Sequence, residues 1–165
     1  MTIDPMRYRA VLGHFPTGVT VIAGTVDDQP VGFTIGSFMS VSLDPPLVGF
    51  LPMVTSERWQ QIRTSNAFCV NVLHSSQAEL CWHFSKSSVE NPFEGVAWRR
   101  APVTGSPIVE GAIAWIDCSI YNVVDAGDHH FVMGQIEDMD HHAEDQEPEP
   151  LLFYKGKLGG FSQHE

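Results

Sequence analysis

Basic residues are scarce. Nine Lys and Arg stand against 20 Asp and Glu, a formal net charge of −11. Such a surface repels polyanions, so nucleic acid and anionic membranes are not expected partners. Long apolar runs are also missing, and none approaches the roughly 20 residues that cross a bilayer. The opening residues, MTIDPMRYRA, hold no apolar core of a secretory signal, so the cytoplasm is the expected compartment. There are three cysteines, Cys69, Cys81 and Cys118, with no C-x-x-C pair. Each sits among apolar neighbours with no base to activate it, which suits buried free thiols. No G-x-G-x-x-G, G-x-S-x-G or H-E-x-x-H occurs, which sets aside the usual dinucleotide fingerprint, the hydrolase elbow and the zinc helix. His129, His130, His141 and His142 lie among carboxylates but at no ligand spacing, so no metal site is expected.

What the chain does have is an unusual stretch, Gly32 to Pro46, reading GFTIGSFMSVSLDPP. Thr34, Ser37, Ser40 and Ser42 alternate there with apolar residues beside two glycines. Glycine permits close backbone approach, and small hydroxyls can hold an anionic or planar ligand without fixed positive charge. A half-buried edge strand with one wet face gives the same pattern. Asp44-Pro45-Pro46 forces a turn at its end.

Around it the chain reads as one domain, residues 1–165, of mainly β type. Asp4 and Pro5 start a helix whose apolar face carries Tyr8, Val11, Leu12 and Phe15. Val19 to Thr25 and Val31 to Ser37 form a hairpin across Asp27–Pro30, and Leu47 to Leu51 is a short strand. Ser56 caps a helix, SERWQQIRTS, and Ala67 to Leu73 is again a strand. Ser75 or Ser76 caps a second helix through Phe84, with Glu79 placed for a capping box. Lys86 to Gly111 is a long excursion. Ala112 to Val124 and His130 to Met139 make a second hairpin, Glu137 to Glu149 an acidic solvated loop, and Leu151 to Tyr154 a last strand. Hairpins with inserted helices argue for an antiparallel barrel with peripheral helices.

A second candidate constellation is Gly127-Asp128-His129-His130, an acid and two imidazoles at a hairpin tip. Imidazole trades protons near neutrality, though a polar turn uses the same residues. Trp59, Phe84 and Trp98 could stack on a planar ring or fill the core.

Taken together, F-P-T-G-V-T-V-I (Phe15 to Ile22), G-F-T-x-x-S-F-x-S-V-S-L-D-P-P-L-V (Gly32 to Val48), S-x-x-W-x-x-I (Ser56 to Ile62), F-C-V-N-V-L (Phe68 to Leu73), G-S-P-I (Gly105 to Ile108), G-D-H (Gly127 to His129) and P-L-L-F-Y-x-G (Pro150 to Gly156) resemble the flavin reductase family with the FMN-binding split-barrel fold. Its members are reductase components of two-component flavin monooxygenases, and the likeness is nearest to those serving aromatic-ring hydroxylases. The resemblance implies a homodimer that passes a hydride from NADH or NADPH to FMN or FAD, and a separate oxygenase that receives the reduced flavin. A non-catalytic flavin carrier and a pyridoxamine-phosphate-oxidase-like enzyme share the barrel and are the alternatives.

Carried over residue by residue, Thr34, Ser37, Phe38, Ser40, Val41 and Ser42 would meet the flavin ring and ribityl chain. Ser56 would hold the flavin phosphate, helped by Thr55 and Arg58 because Met53-Val54-Thr55 lacks the basic residue that many relatives carry. Phe84 and Ser85 would continue the flavin contacts. His129 would orient the nicotinamide, with Phe153 and Tyr154 bordering it. The acidic loop, if close to the nicotinamide, would disfavour NADPH and leave NADH as the donor.

Overall fold

The computed structural model describes residues 3–141 and 149–162. In chain order the elements are α1 (Pro5–Leu12), β1 (Thr17–Gly18), β2 (Thr20–Val26), β3 (Gln29–Ile35), β4 (Met39–Leu43), β5 (Pro46–Phe50), α2 (Glu57–Ser65), β6 (Ala67–Val72), α3 (Ala78–Ser85), β7 (Trp98–Arg100), β8 (Pro107–Val109), β9 (Ala114–Ala126), β10 (His129–His141), β11 (Leu152–Tyr154) and β12 (Lys157–Gly159). A seven-stranded sheet runs in the order β3-β2-β6-β9-β10-β5-β4, and its pairings are antiparallel. The expected mainly β, antiparallel architecture is what the chain adopts.

The sheet curls until its ends meet. Phe33 on the edge strand β3 and Phe50 on β5, the neighbour of the opposite edge strand β4, lie far apart in the strand order, yet their ring centroids are 6.3 Å apart. Ser37 stitches this seam: its Oγ accepts the Leu51 N–H at 2.9 Å. Inside the curl, Ile22, Val48, Phe68, Val70 and Val132 pack with Phe50, and α2 closes one end with Trp59 and Ile62, both fully buried. A second cluster, with Val21, Leu73, Phe84 and Phe93, fills the space between the sheet, α3 and the 86–111 excursion. Cys69, Cys81 and Cys118 are free and buried, and burial pushes each thiol's pKa up.

Local chemistry explains most boundaries. Asp27 and Asp28 both take positive φ, as a two-residue primed hairpin turn requires. Gly127 opens the β9–β10 turn with φ of 70°. Ser56 caps α2 by accepting from Trp59 N, and Asn66 ends it in the left-handed region.

Four expectations need correction. Asp4 does cap α1, but none of that helix's side chains is buried, so Tyr8, Val11 and Leu12 form no core face. Phe15 lies beyond the helix and is also exposed. His74, not Ser75 or Ser76, caps the next segment: it forms a capping box with Gln77, leads a 3₁₀ turn, and only then does α3 begin. Glu137 to His141 belongs to β10 rather than to a loop, whereas the rest of the acidic run, 142–148, lies outside the described residues.

One glycine is fixed by packing. A methyl group at Gly134 would overlap the ring of Phe68, itself fully buried. Gly134→Ala is expected to cost about 1–3 kcal/mol in urea unfolding; an unchanged midpoint would show that the core can shift there.

Candidate functional site

The loop before α2 and the β9–β10 turn are tied together. Met53 forms an isolated β-bridge with His129, Val54 N–H donates to Asp128 O at 3.0 Å, and His130 N–H donates to Pro52 O at 3.0 Å. Leu51, at the head of this loop, is the seam partner of Ser37. Ser37, the 51–56 loop and the G-D-H turn therefore make one continuous wall.

At the far end of the loop lies a pocket of about 430 Å³ lined by Phe33, Thr55, Ser56, Glu57, Arg58, Phe84, Ser85 and Ser87. Ser56 Oγ takes the N–H of Trp59, which leaves the first N–H groups of α2, on Glu57 and Arg58, without an intrahelical partner. With four hydroxyl residues around them, these donors suit a phosphate. Arg58 contributes less than the sequence implied. Its Nη1 donates to Gly32 O and Phe84 O, and its Nη2 to Lys86 O and Val89 O, at 2.5–3.3 Å. Burial lowers its pKa. The guanidinium thus clamps the segment after α3 against the barrel.

A second, larger cleft of about 930 Å³ shares Ser85 with the first. Thr34, Ser37, Phe38, Ser85 and Phe153 line it, as do Phe15, Cys81 and Trp82. Two of its hydroxyls are already engaged: Thr34 Oγ1 donates to Cys81 O at 2.8 Å, and Ser37 holds the seam.

The other sequence candidates fall elsewhere. Ser40, Val41 and Ser42 lie on β4, an edge strand bulged between Ser40 and Ser42, and line neither cleft. Tyr154 lines a separate groove with Lys155 and Lys157. Phe84 edges the phosphate pocket, but its side chain is fully buried. Of the proposed ring-stackers, Trp59 and Phe84 are core, and Trp98 packs on Phe93. Trp82 was missed; its only sequence signal is its place beside Cys81, one helical step off the buried face of α3.

His129 and His130 differ sharply. His129 is partly exposed, and its Nδ1 lies 2.7 Å from Asp128 Oδ1. That bond holds the Asp128 carboxyl below its usual range, and it engages Nδ1 of His129 rather than Nε2. His130 is buried, and its Nδ1 accepts the indole N–H of Trp59 at 2.8 Å. Because indole nitrogen only donates, the ring proton of neutral His130 sits on Nε2, which points toward Asp125 Oδ1 at 3.6 Å.

A family model described as "Flavin reductase like domain" matches residues 12–162. The chain belongs to the flavin reductase family. It is 47% identical to a flavin reductase of Pseudomonas putida over 161 residues, 97% of this chain and 92% of the relative. Among solved structures it superposes on nitrilotriacetate monooxygenase component B from Mycobacterium thermoresistibile with TM-score 0.92 and 42% identity, covering 96% and 87% of the two chains. The NADH:FAD oxidoreductase SgcE6 of Streptomyces globisporus, solved with NAD and FAD fragments, gives TM-score 0.89 and 33% identity over 98% and 97%. In this flavin reductase the fold is thus the split barrel.

Replacing His130 by Leu strands the buried indole N–H of Trp59. We expect a loss of about 1–3 kcal/mol in chemical denaturation, with part of it recovered in His130→Asn, whose Oδ1 can accept in place of Nδ1. Equal stability of all three proteins would show that the bond carries nothing.

Proposed function

We infer that this flavin reductase oxidises NADH, reduces FMN or FAD, and passes the reduced flavin to a separate oxygenase component that acts on an aromatic ring. The observation that carries this reading is the bridge between Met53 and His129. It sets an anion-binding helix end and an imidazole on one wall. The phosphate pocket at Ser56 fits the flavin phosphate through Thr55, Ser56, Ser85 and the free N–H groups of α2. The flavin ring would lie along the Ser37–Met53 wall, where backbone groups rather than the spent hydroxyls meet it. When bound, flavin supplies a two-electron acceptor for the hydride of the dihydronicotinamide. His129 orients the nicotinamide, with its own ring fixed by Asp128, and the apolar surroundings exclude water.

NADH as donor rests on the named activity of SgcE6, not on charge. Seven residues of β10 separate Glu137 from His129, about 25 Å at strand rise, so the described start of the acidic run lies far from that imidazole. Kinship with component B of a monooxygenase supports the separate oxygenase.

A homodimer is part of the same reading. Edge strand β4 leaves Met39, Val41 and Leu43 exposed, at 42%, 40% and 92%. Gly49 leaves room for Phe131 and Val41: a Cβ there would come within 2.6 Å of the Phe131 ring and 3.0 Å of Val41. Val124, paired with Phe131 on β9, is exposed too. An apolar edge of this kind calls for a cover, and a second copy supplies one.

Purified protein mixed with NADH and then FMN or FAD should lose the nicotinamide absorbance band. Flavin retention without NADH loss would instead mark a carrier. His129→Ala should lower kcat about ten- to hundredfold while leaving flavin Kd within about twofold. Ser56→Asp sets a carboxylate against phosphate and should raise flavin Kd about tenfold; an unchanged Kd would place the phosphate elsewhere. Sedimentation should show a dimer that Val124→Asp weakens, and a monomeric wild type would reject the shared edge.

A further inference from the structure

Arg58 holds one turn of the chain by both ends. Past the end of α3, Val89 N–H donates to Lys86 O at 3.4 Å, so Lys86, Ser87, Ser88 and Val89 close a turn. Arg58 Nη2 donates to the first and last carbonyls of that turn, Lys86 O at 2.9 Å and Val89 O at 2.5 Å. Nη1 donates to Phe84 O in the last turn of α3 at 2.8 Å and to Gly32 O on β3 at 3.3 Å. One planar fork thus grips four carbonyls, a task for which the point charge of a lysine is unsuited. The turn carries Ser87 to the wall of the pocket at Ser56. Of the two serines that this segment brings there, Ser85 donates its proton to Trp82 O at 2.9 Å, whereas Ser87 has no hydrogen-bond partner among the described residues.

We propose that Ser87 is a further phosphate-binding residue of the flavin site, and that Arg58 is the positioning residue that sets it there. The inference rests on the reading of that pocket as the phosphate site. A short hydroxyl adds to affinity only if its backbone is already in place, because ordering a loop on binding costs conformational entropy. The fork of Arg58 supplies that order in advance. It also hides dipoles. Free carbonyls at a helix C-terminus carry negative partial charge and would repel an anion. Phe84 O and Lys86 O directly precede Ser85 and Ser87 in the chain, and the guanidinium holds both. Arg58 therefore serves the anion through the shape of the 86–89 turn rather than by contact.

Flavin fluorescence titration of the full chain gives Kd for FMN and for riboflavin, which lacks the phosphate, in wild type, Ser87→Ala, Arg58→Lys and the double variant. Wild type should prefer FMN by about tenfold or more. Ser87→Ala should raise the FMN Kd about three- to tenfold and leave riboflavin within about twofold. Arg58→Lys keeps the charge and loses the fork, and it should do the same. The double variant should stay within about twofold of Arg58→Lys, because both changes remove one contact. Full FMN affinity in Arg58→Lys would show that charge matters and the fork does not. Effects that multiply would show that Arg58 does not act through Ser87, and equal losses of FMN and riboflavin would mark Arg58 as a support of the fold alone. Each of these overturns the proposal. Ser87 is exposed, so Ser87→Ala decides the matter if Arg58→Lys does not fold: a loss confined to FMN sustains the proposal, and an unchanged FMN Kd ends it. Equal wild-type affinity for FMN and riboflavin would instead remove the phosphate reading, and this inference with it.

Discussion

A single hydrogen bond inside the core sets the geometry of the site. Trp59 donates its indole N–H to Nδ1 of His130, and both side chains are buried. Trp59 lies three residues after Ser56, the cap of α2, and His130 lies next to His129. The bond therefore joins the two ends of the candidate site from beneath: the helix end proposed for phosphate and the imidazole proposed to orient the nicotinamide. The bridge between Met53 and His129 joins them from above. A buried donor left without a partner is costly, so the pairing has one good solution and the spacing follows from it.

Much of the barrel was open to sequence reading because its signals are local. The β-branched run Val19 to Ile22, the Asp27-Asp28 turn and the Ser56 cap each carry their structural reason within a few residues. The family resemblance then joined these pieces in order. What sequence could not show was how donors are spent across the fold. Thr34 and Ser37 look like ligand hydroxyls, but their partners, Cys81 O and Leu51 N–H, come from α3 and the strand at the far side of the seam. Arg58 looks like a phosphate ligand until carbonyls 26 to 31 residues away claim both its Nη groups. Tyr8 and Val11 had helical spacing, but spacing does not say whether a face has anything to pack against.

The stretch from Gly32 to Pro46 thus has a different role from the one its composition suggests. It is the seam of a closed sheet first. Ser37 holds Leu51 just beyond β3, and Thr34 ties the same stretch to α3, so both hydroxyls serve the closure of the fold. Under the proposed reading the wall meets the flavin ring with backbone and apolar surface, and substitution at Ser37 would disturb closure and binding together.

Among the described residues the pocket proposed for phosphate is lined by no cation other than Arg58, and that bears on release of the product. The pocket offers helix N–H groups and hydroxyls, and Glu57 sets a carboxylate at its rim, while the guanidinium of Arg58 is turned to carbonyls. Charge-assisted bonds from a free Lys or Arg would be roughly twice as strong as these neutral contacts. In a protein of net charge −11, an anionic flavin in this pocket would be held by geometry against an unfavourable field. Under the proposed reaction that is an advantage, because a reductase serving a separate oxygenase must release its flavin on every turnover. Affinity then has to come from shape and neutral hydrogen bonds rather than from charge.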